Sequence, residues 1–138
     1  MVDKAIGYMQ NDNAGAWQNT LCFMGDDGDS NRHMRDADAA ATMIDSLHPA
    51  FNIKKIYWDA YERQSSSTGF SYPDVTQLIR QQMQQGALLM NYSGHGAAYT
   101  LSHEQVLHLA GLGIDHDLLD YPDGVTARCH RLLSDERV

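Results

Sequence analysis

Cysteine, proline and basic side chains are all scarce in this chain of 138 residues. Its two cysteines, Cys22 and Cys129, cannot staple a small scaffold, and neither lies in a Cys-x-x-Cys or Cys/His zinc spacing. One of them is therefore a candidate reactive thiol. Only 3 prolines and 11 glycines argue against collagen-like or proline-rich linker content, and a hydrophobic fraction of 43% argues against disorder. Lys and Arg number 10 against 18 Asp and Glu, a net charge of -8, so nucleic acid and anionic membrane surfaces are not expected partners. A cationic ligand or a metal ion suits that balance better. No apolar run is long enough for a membrane helix, and Met1 to Gln10 lacks the basic and apolar regions of a signal peptide.

What is present is the pattern of one α/β domain. Three apolar runs, Thr20 to Met24, Ile53 to Trp58 and Ala87 to Tyr92, end in Gly, Asp, Ser or Asn, and the first and third read as buried strands. Met34 to Leu47 has helical spacing, with Ala40, Met43, Ile44 and Leu47 on one side and Asp36 and Asp38 near its start. A second helix follows Tyr72, with Pro73 in its first turn, a stripe of Val75, Leu78, Ile79 and Met83, and Gly86 as its stop. Ser102 to Leu109 reads as a third, short helix, and Gln64 to Gly69 as a surface loop. Beyond about Ala110 the signal weakens, and only Val125 to Cys129 reads as a further strand. The expectation is a three-layer fold, a mostly parallel sheet with helices on both faces, over a single partial domain spanning 1–138. Residues 1–18 are a poorly defined lead-in, and 111–138 a divergent or truncated end.

Ligands of open parallel sheets bind beyond the carboxyl ends of the strands. The residues there are polar: Gly25 to Asn31 after the first strand, Asp59 to Glu62 after the second and Ser93 to Gly96 after the third. His95 stands between Gly94 and Gly96, where little crowds its ring, which suits a general base. A base needs a nucleophile, and Cys129, at the end of a possible fourth strand, follows after 34 residues, one crossover away. Cys22, in mid-strand, reads as inert.

The string Asn-Tyr-Ser-Gly-His-Gly-Ala, Asn91 to Ala97, resembles the catalytic-histidine motif of the gingipain family of cysteine peptidases. Phe23 to Asp29, His33 with Met34, Lys55 to Tyr61 and Gly69 to Val75 are similar to the PorU-like branch, the sortase of the type IX secretion system. This resemblance runs from about Asn19 to Leu109. It implies a caspase-like fold, a location at the outer membrane or cell surface, and a His95/Cys129 dyad acting on peptide bonds. Gly96 is implied as a backbone donor to the oxyanion, and Asp36 or Asp38 as the acid orienting His95. For PorU-like members it further implies removal of C-terminal sorting domains from cargo, transfer to a lipopolysaccharide and contact with other secretion components. Arg128 and the run His130, Arg131, Leu132 depart from the family's pattern around the nucleophile.

No cofactor is required by this reading, and a calcium site of another kind than the EF-hand loop stays open, since related peptidases bind calcium. Asp27, Asp29, Asn31 and Asp38 have the first, third, fifth and twelfth spacing of a calcium loop, but Arg32 stands where that loop needs Gly. His103, His108, His116 and His130 read as surface residues, so no metal ligands are assigned. Two functions stay open: a cysteine endopeptidase or transpeptidase, and a non-catalytic peptidase-fold fragment that binds cargo. Oligomeric state is left open.

Overall fold

The computed structural model describes residue 6 and residues 9–11, 14–67, 69–97, 100–104 and 106–108. Strand β1 (Thr20–Gly25) is buried at every position, as a strand covered on both faces must be. It lies between two parallel neighbours, β2 (Asn52–Tyr57) and β5 (Leu89–Ser93), in the order β2-β1-β5. Because side chains alternate, Leu21 and Phe23 face one layer while Cys22 and Met24 face the other.

Helix α1 (Gly28–Leu47) covers the Leu21/Phe23 face with Ala40, Ala41 and Ile44. Helix α2 (Pro73–Gln85) covers the opposite face with Val75, Ile79 and, partly, Leu78 and Met83. The expected three layers with a parallel sheet are present. Within α1 the inward stripe differs from expectation, since Met43 and Leu47 are exposed. Met34, Ala37 and Ala41 are its buried positions, and at about 100° per residue Met43 lies some 200° around from Ala41.

Asp29, Ser30 and Asn31 adopt left-handed φ of 51°, 56° and 64°, so regular helix begins only after Asn31. Such backbone is unfavourable for side-chain-bearing residues by roughly 1–2 kcal/mol each. Helix α2 starts on Pro73, whose missing N–H is no loss there, and stops at Gly86 with φ 82°.

Two stretches differ in kind from their sequence patterns. The two ends of the expected loop from Gln64 to Gly69 are strand, since β3 (Gln64–Ser66) pairs antiparallel with β4 (Gly69–Ser71). The short helix expected from Ser102 is replaced by a ribbon of β6 (Gly96–Ala97), β7 (Thr100–Leu101) and β8 (Leu107–His108). Ser102 sits at φ 61°, incompatible with a right-handed helix start, and Val106 and Leu107 join the α2-side core as ribbon residues. The expected strand from Val125 to Cys129 lies outside the described residues. Among the described residues, no helix is long and apolar enough to cross a membrane.

The strand order decides where a site can form. From β1 the chain crosses by α1 to β2 on one side, then returns by α2 to β5 on the other. The carboxyl ends of β1 and β5 are therefore the point where the winding reverses, the place where open parallel sheets form their ligand crevice.

Candidate active site

Asp26 follows β1 and His95 follows β5, so both stand at that crevice. The Asp26 N–H continues the ladder by donating to Ser93 O at 3.2 Å, which ties the two strand ends together. Asp26 is only 2% exposed, and each carboxylate oxygen is engaged. Oδ1 accepts the Gly28 N–H at 3.1 Å. Oδ2 accepts the His95 backbone N–H at 2.6 Å and faces His95 Nδ1 at 3.2 Å. Burying a carboxylate without such partners is costly, and here each oxygen has one.

The backbone of His95 is held from the other side as well. Its carbonyl accepts the Tyr92 hydroxyl at 2.7 Å and the Ser102 N–H at 2.8 Å. Tyr92 Oη is also 3.2 Å from Asp26 Oδ2. Its single proton goes mainly to the nearer carbonyl oxygen, with Asp26 as the weaker of two acceptors. Burial, and then the Asp26 charge, push the Tyr92 hydroxyl well above its usual range, so it stays a phenol.

Two glycines make this packing possible. A Cβ on Gly94 would fall 2.6 Å from Asp26 Oδ2 and closer still to Tyr92 Oη, and one on Gly28 would fall 2.7 Å from the His95 ring. Gly96 is different, since its nearest neighbour would be Thr100 O at 3.7 Å, an ordinary contact. Antiparallel pairs alternate between hydrogen-bonded and non-bonded. The Ser102 N–H bond to His95 makes that pair the bonded kind, so Gly96, opposite Leu101, turns its N–H away from β7.

The His95 ring is 30% exposed and sits among other imidazoles. His33 meets it edge-on with centroids 4.8 Å apart, and His103 stacks on it at 4.7 Å and 24°. Asp29 Oδ2 lies 3.5 Å from both His95 Nε2 and His33 Nε2. With Nδ1 directed at Asp26, Nε2 is the ring nitrogen that faces Asp29.

The structure brings His95 and Gly96 together but leaves Asp36 and Asp38 elsewhere. Asp38 binds Lys55 Nζ at 2.6 Å and Tyr57 Oη at 3.1 Å, beside an open groove that Arg35 and Asp59 also line. Asp36 is exposed on α1. Neither carboxylate is a partner of His95, whose Nδ1 faces Asp26 instead. Cys129 lies outside the described residues. Cys22 is fully buried, and burial pushes its thiol up to about 12, which makes it inert.

The residues of the calcium-loop spacing turn to separate partners. Asp27 accepts the Tyr72 hydroxyl at 2.6 Å, the Asn31 amide donates to Asp59 at 3.4 Å, and Asp29 faces the two histidines. His33 and Asp29 were not singled out as a pair with His95 by any spacing rule, because they are far from it in sequence. Asp26 carried one legible signal, as the first carboxylate after a buried strand.

A motif histidine at the end of a parallel strand, oriented by a buried carboxylate, is joined by a further observation: the model of peptidase family C25 matches residues 1–113. The chain belongs to peptidase family C25. Family C25 is the gingipain family of cysteine peptidases, so the resemblance read around His95 holds at the level of the family, and with it a protein or peptide substrate. The matched span includes Asp26, Gly28, His33, His95 and Gly96, and ends before Cys129. No curated protein and no solved structure matches the chain.

Proposed function

We propose that this family C25 domain is the peptidase part of a PorU-like sortase that cuts C-terminal sorting domains from secreted cargo, with His95 as its base and Cys129 as its nucleophile. The observation that carries the assignment of His95 is the contact of its Nδ1 with the buried Asp26 carboxylate at 3.2 Å. Asp26 holds Nδ1 as the donor and leaves the Nε2 lone pair to take a proton from the thiol. The carboxylate then stabilises the imidazolium that forms.

In the proposed step the thiolate of Cys129 attacks the scissile carbonyl carbon, and the electron pair moves onto oxygen. The Gly96 N–H, free of the β6-β7 ladder, is the donor assigned to that oxyanion. Imidazolium returns its proton to the leaving amine as the C–N bond breaks, giving a thioester. Water or a sugar amine then releases the acyl group and regenerates the thiol. Cargo, other secretion components and an outer-membrane or cell-surface location enter through the sequence motifs from Phe23 to Asp29 and from Lys55 to Tyr61. The chain's charge of -8 agrees with a protein partner rather than nucleic acid.

The test is cleavage of a reporter cargo that carries a C-terminal sorting domain, by the full-length protein, its His95→Ala form and its Cys129→Ala form. Release of the sorting domain by the parent alone supports the sortase reading. Cleavage of unrelated peptides without release of sorting domains leaves a family C25 peptidase and overturns the sortase role. Binding of cargo without cleavage identifies the non-catalytic alternative.

A further inference from the structure

From the same crevice we infer a zinc-type metal site, in which His33 Nε2, His95 Nε2 and the Asp29 carboxylate take one divalent transition-metal ion. Asp29 Oδ2 is 3.5 Å from each of the two imidazole nitrogens. In tetrahedral zinc, with bonds of about 2.0 to 2.2 Å, neighbouring ligand atoms stand about 3.3 to 3.6 Å apart, so both edges from Asp29 fit. An imidazole nitrogen of His33 and one of His95 also lie within 4.8 Å of each other and of an Asp26 oxygen, so the two rings are near enough to share an ion.

Two further observations point to an ion rather than to packing alone. His33 Nε2 is buried and has no hydrogen-bond partner, and the 3.5 Å approach of Asp29 is too long to supply one. Behind His95, Asp26 Oδ2 faces Nδ1 at 3.2 Å, the carboxylate–histidine–metal arrangement that fixes the tautomer with Nε2 toward the ion. Asp26 itself is an outer partner, because both its oxygens already accept hydrogen bonds from Gly28 and His95.

The donor set selects the ion. Two imidazoles and one carboxylate suit zinc, cobalt or nickel, whereas calcium asks for six to eight oxygens. The fourth position stays open to water. Metal binding there is independent of the peptidase reading; only its consequence, that a metallated His95 Nε2 has no lone pair for a thiol proton, rests on that reading.

The experiment is titration of the whole 138-residue chain with zinc by calorimetry and with cobalt by visible absorption, while histidine ring signals are followed by NMR. One ion per chain, tetrahedral cobalt bands and ring shifts at His33 and His95 are expected. His33→Gln then weakens binding by at least tenfold, and Asp26→Asn weakens it by about 10- to 100-fold. Circular dichroism shows whether each variant is folded, and the ring shifts of the unaltered chain decide the matter if one is not. Shifts at His48, His103, His108, His116 or His130 without His33 and His95 overturn the site, as does an unchanged affinity in folded His33→Gln. Peptide cleavage enters none of these readouts, so the site and the peptidase reading stand or fall separately.

Discussion

A single oxygen, Asp26 Oδ2, takes the backbone N–H of His95 at 2.6 Å and faces the same residue's ring Nδ1 at 3.2 Å, across 69 residues of sequence. One carboxylate thus fixes both where the histidine stands and how its ring is turned. Replacing Asp26 by Asn keeps the shape but presents an amide that cannot stabilise an imidazolium. Peptide cleavage by the full-length protein is expected to fall by about 10²- to 10⁴-fold in kcat, the usual worth of positioned acid-base catalysis, with KM little changed. A fall in kcat/KM carried by KM alone would show Asp26 to be a binding residue instead.

Asp38 provides the contrast. Its carboxyl is held below the usual range, first by the hydrogen bond from Lys55 and also by that from Tyr57. A depressed carboxyl stabilises the fold above the unfolded pKa of about 3.9, and that contribution is lost as pH falls through the lower folded value. Half-exposed as it is, the pair is screened by solvent and contributes about 1 kcal/mol or less. Asp38→Asn should therefore leave cleavage unchanged and reduce stability slightly above pH ~4, the difference fading as pH falls from there through the lower folded value. Urea denaturation at several pH values checks this.

Gly94 has no room for a methyl group. Gly94→Ala pushes on the Asp26 carboxylate and the Tyr92 hydroxyl together, and should cost about 1–3 kcal/mol of stability by overpacking. Cleavage should fall more than the lost folded fraction accounts for, because the displaced atoms are those that hold His95. Gly96→Ala, with 3.7 Å to the nearest atom, should fold normally. Parallel denaturation curves for the two variants separate these outcomes.

Cys22 should stay silent toward alkylating reagents in the native protein. The thiol is fully buried and raised to about 12, so thiolate is scarce at any ordinary pH. Mass spectrometry after iodoacetamide treatment should find Cys22 modified only once urea unfolds the chain. Modification under native conditions contradicts its place in the α2-side core.

Much of this architecture was legible because burial on both faces leaves an unbroken apolar run, as in Leu21 to Met24, and helix starts such as Pro73 are marked by local chemistry. His95 was legible for a similar reason, as a histidine between two glycines after a buried strand. Asp26 received no role from the sequence, because its part depends on a partner 69 residues away, whereas Asp36 and Asp38 sat at the visible start of a helical pattern. The region after Gly96 misled for a local reason. Ser102 to Leu109 has helix-like spacing, yet the left-handed Ser102 and pairing with Thr100 and Leu101 draw Leu107 and His108 into a strand. Tertiary pairing overrides a short stretch of propensity there. Asp29 and His33 stand four residues apart, but nothing in their spacing links them to His95, more than 60 residues on.

The central claim is that the Asp26–His95 pair activates the thiol of Cys129. Its most direct test is the rate of Cys129 alkylation by iodoacetamide from about pH 5 to about pH 9, in the parent chain, His95→Ala and Asp26→Asn, with Cys22→Ser as background. The account predicts a thiolate reactive below the ordinary cysteine pKa of about 8.5, and slower, ordinary titration in both variants. A Cys129 that titrates near 8.5 in all three chains, indifferent to His95 and Asp26, contradicts it.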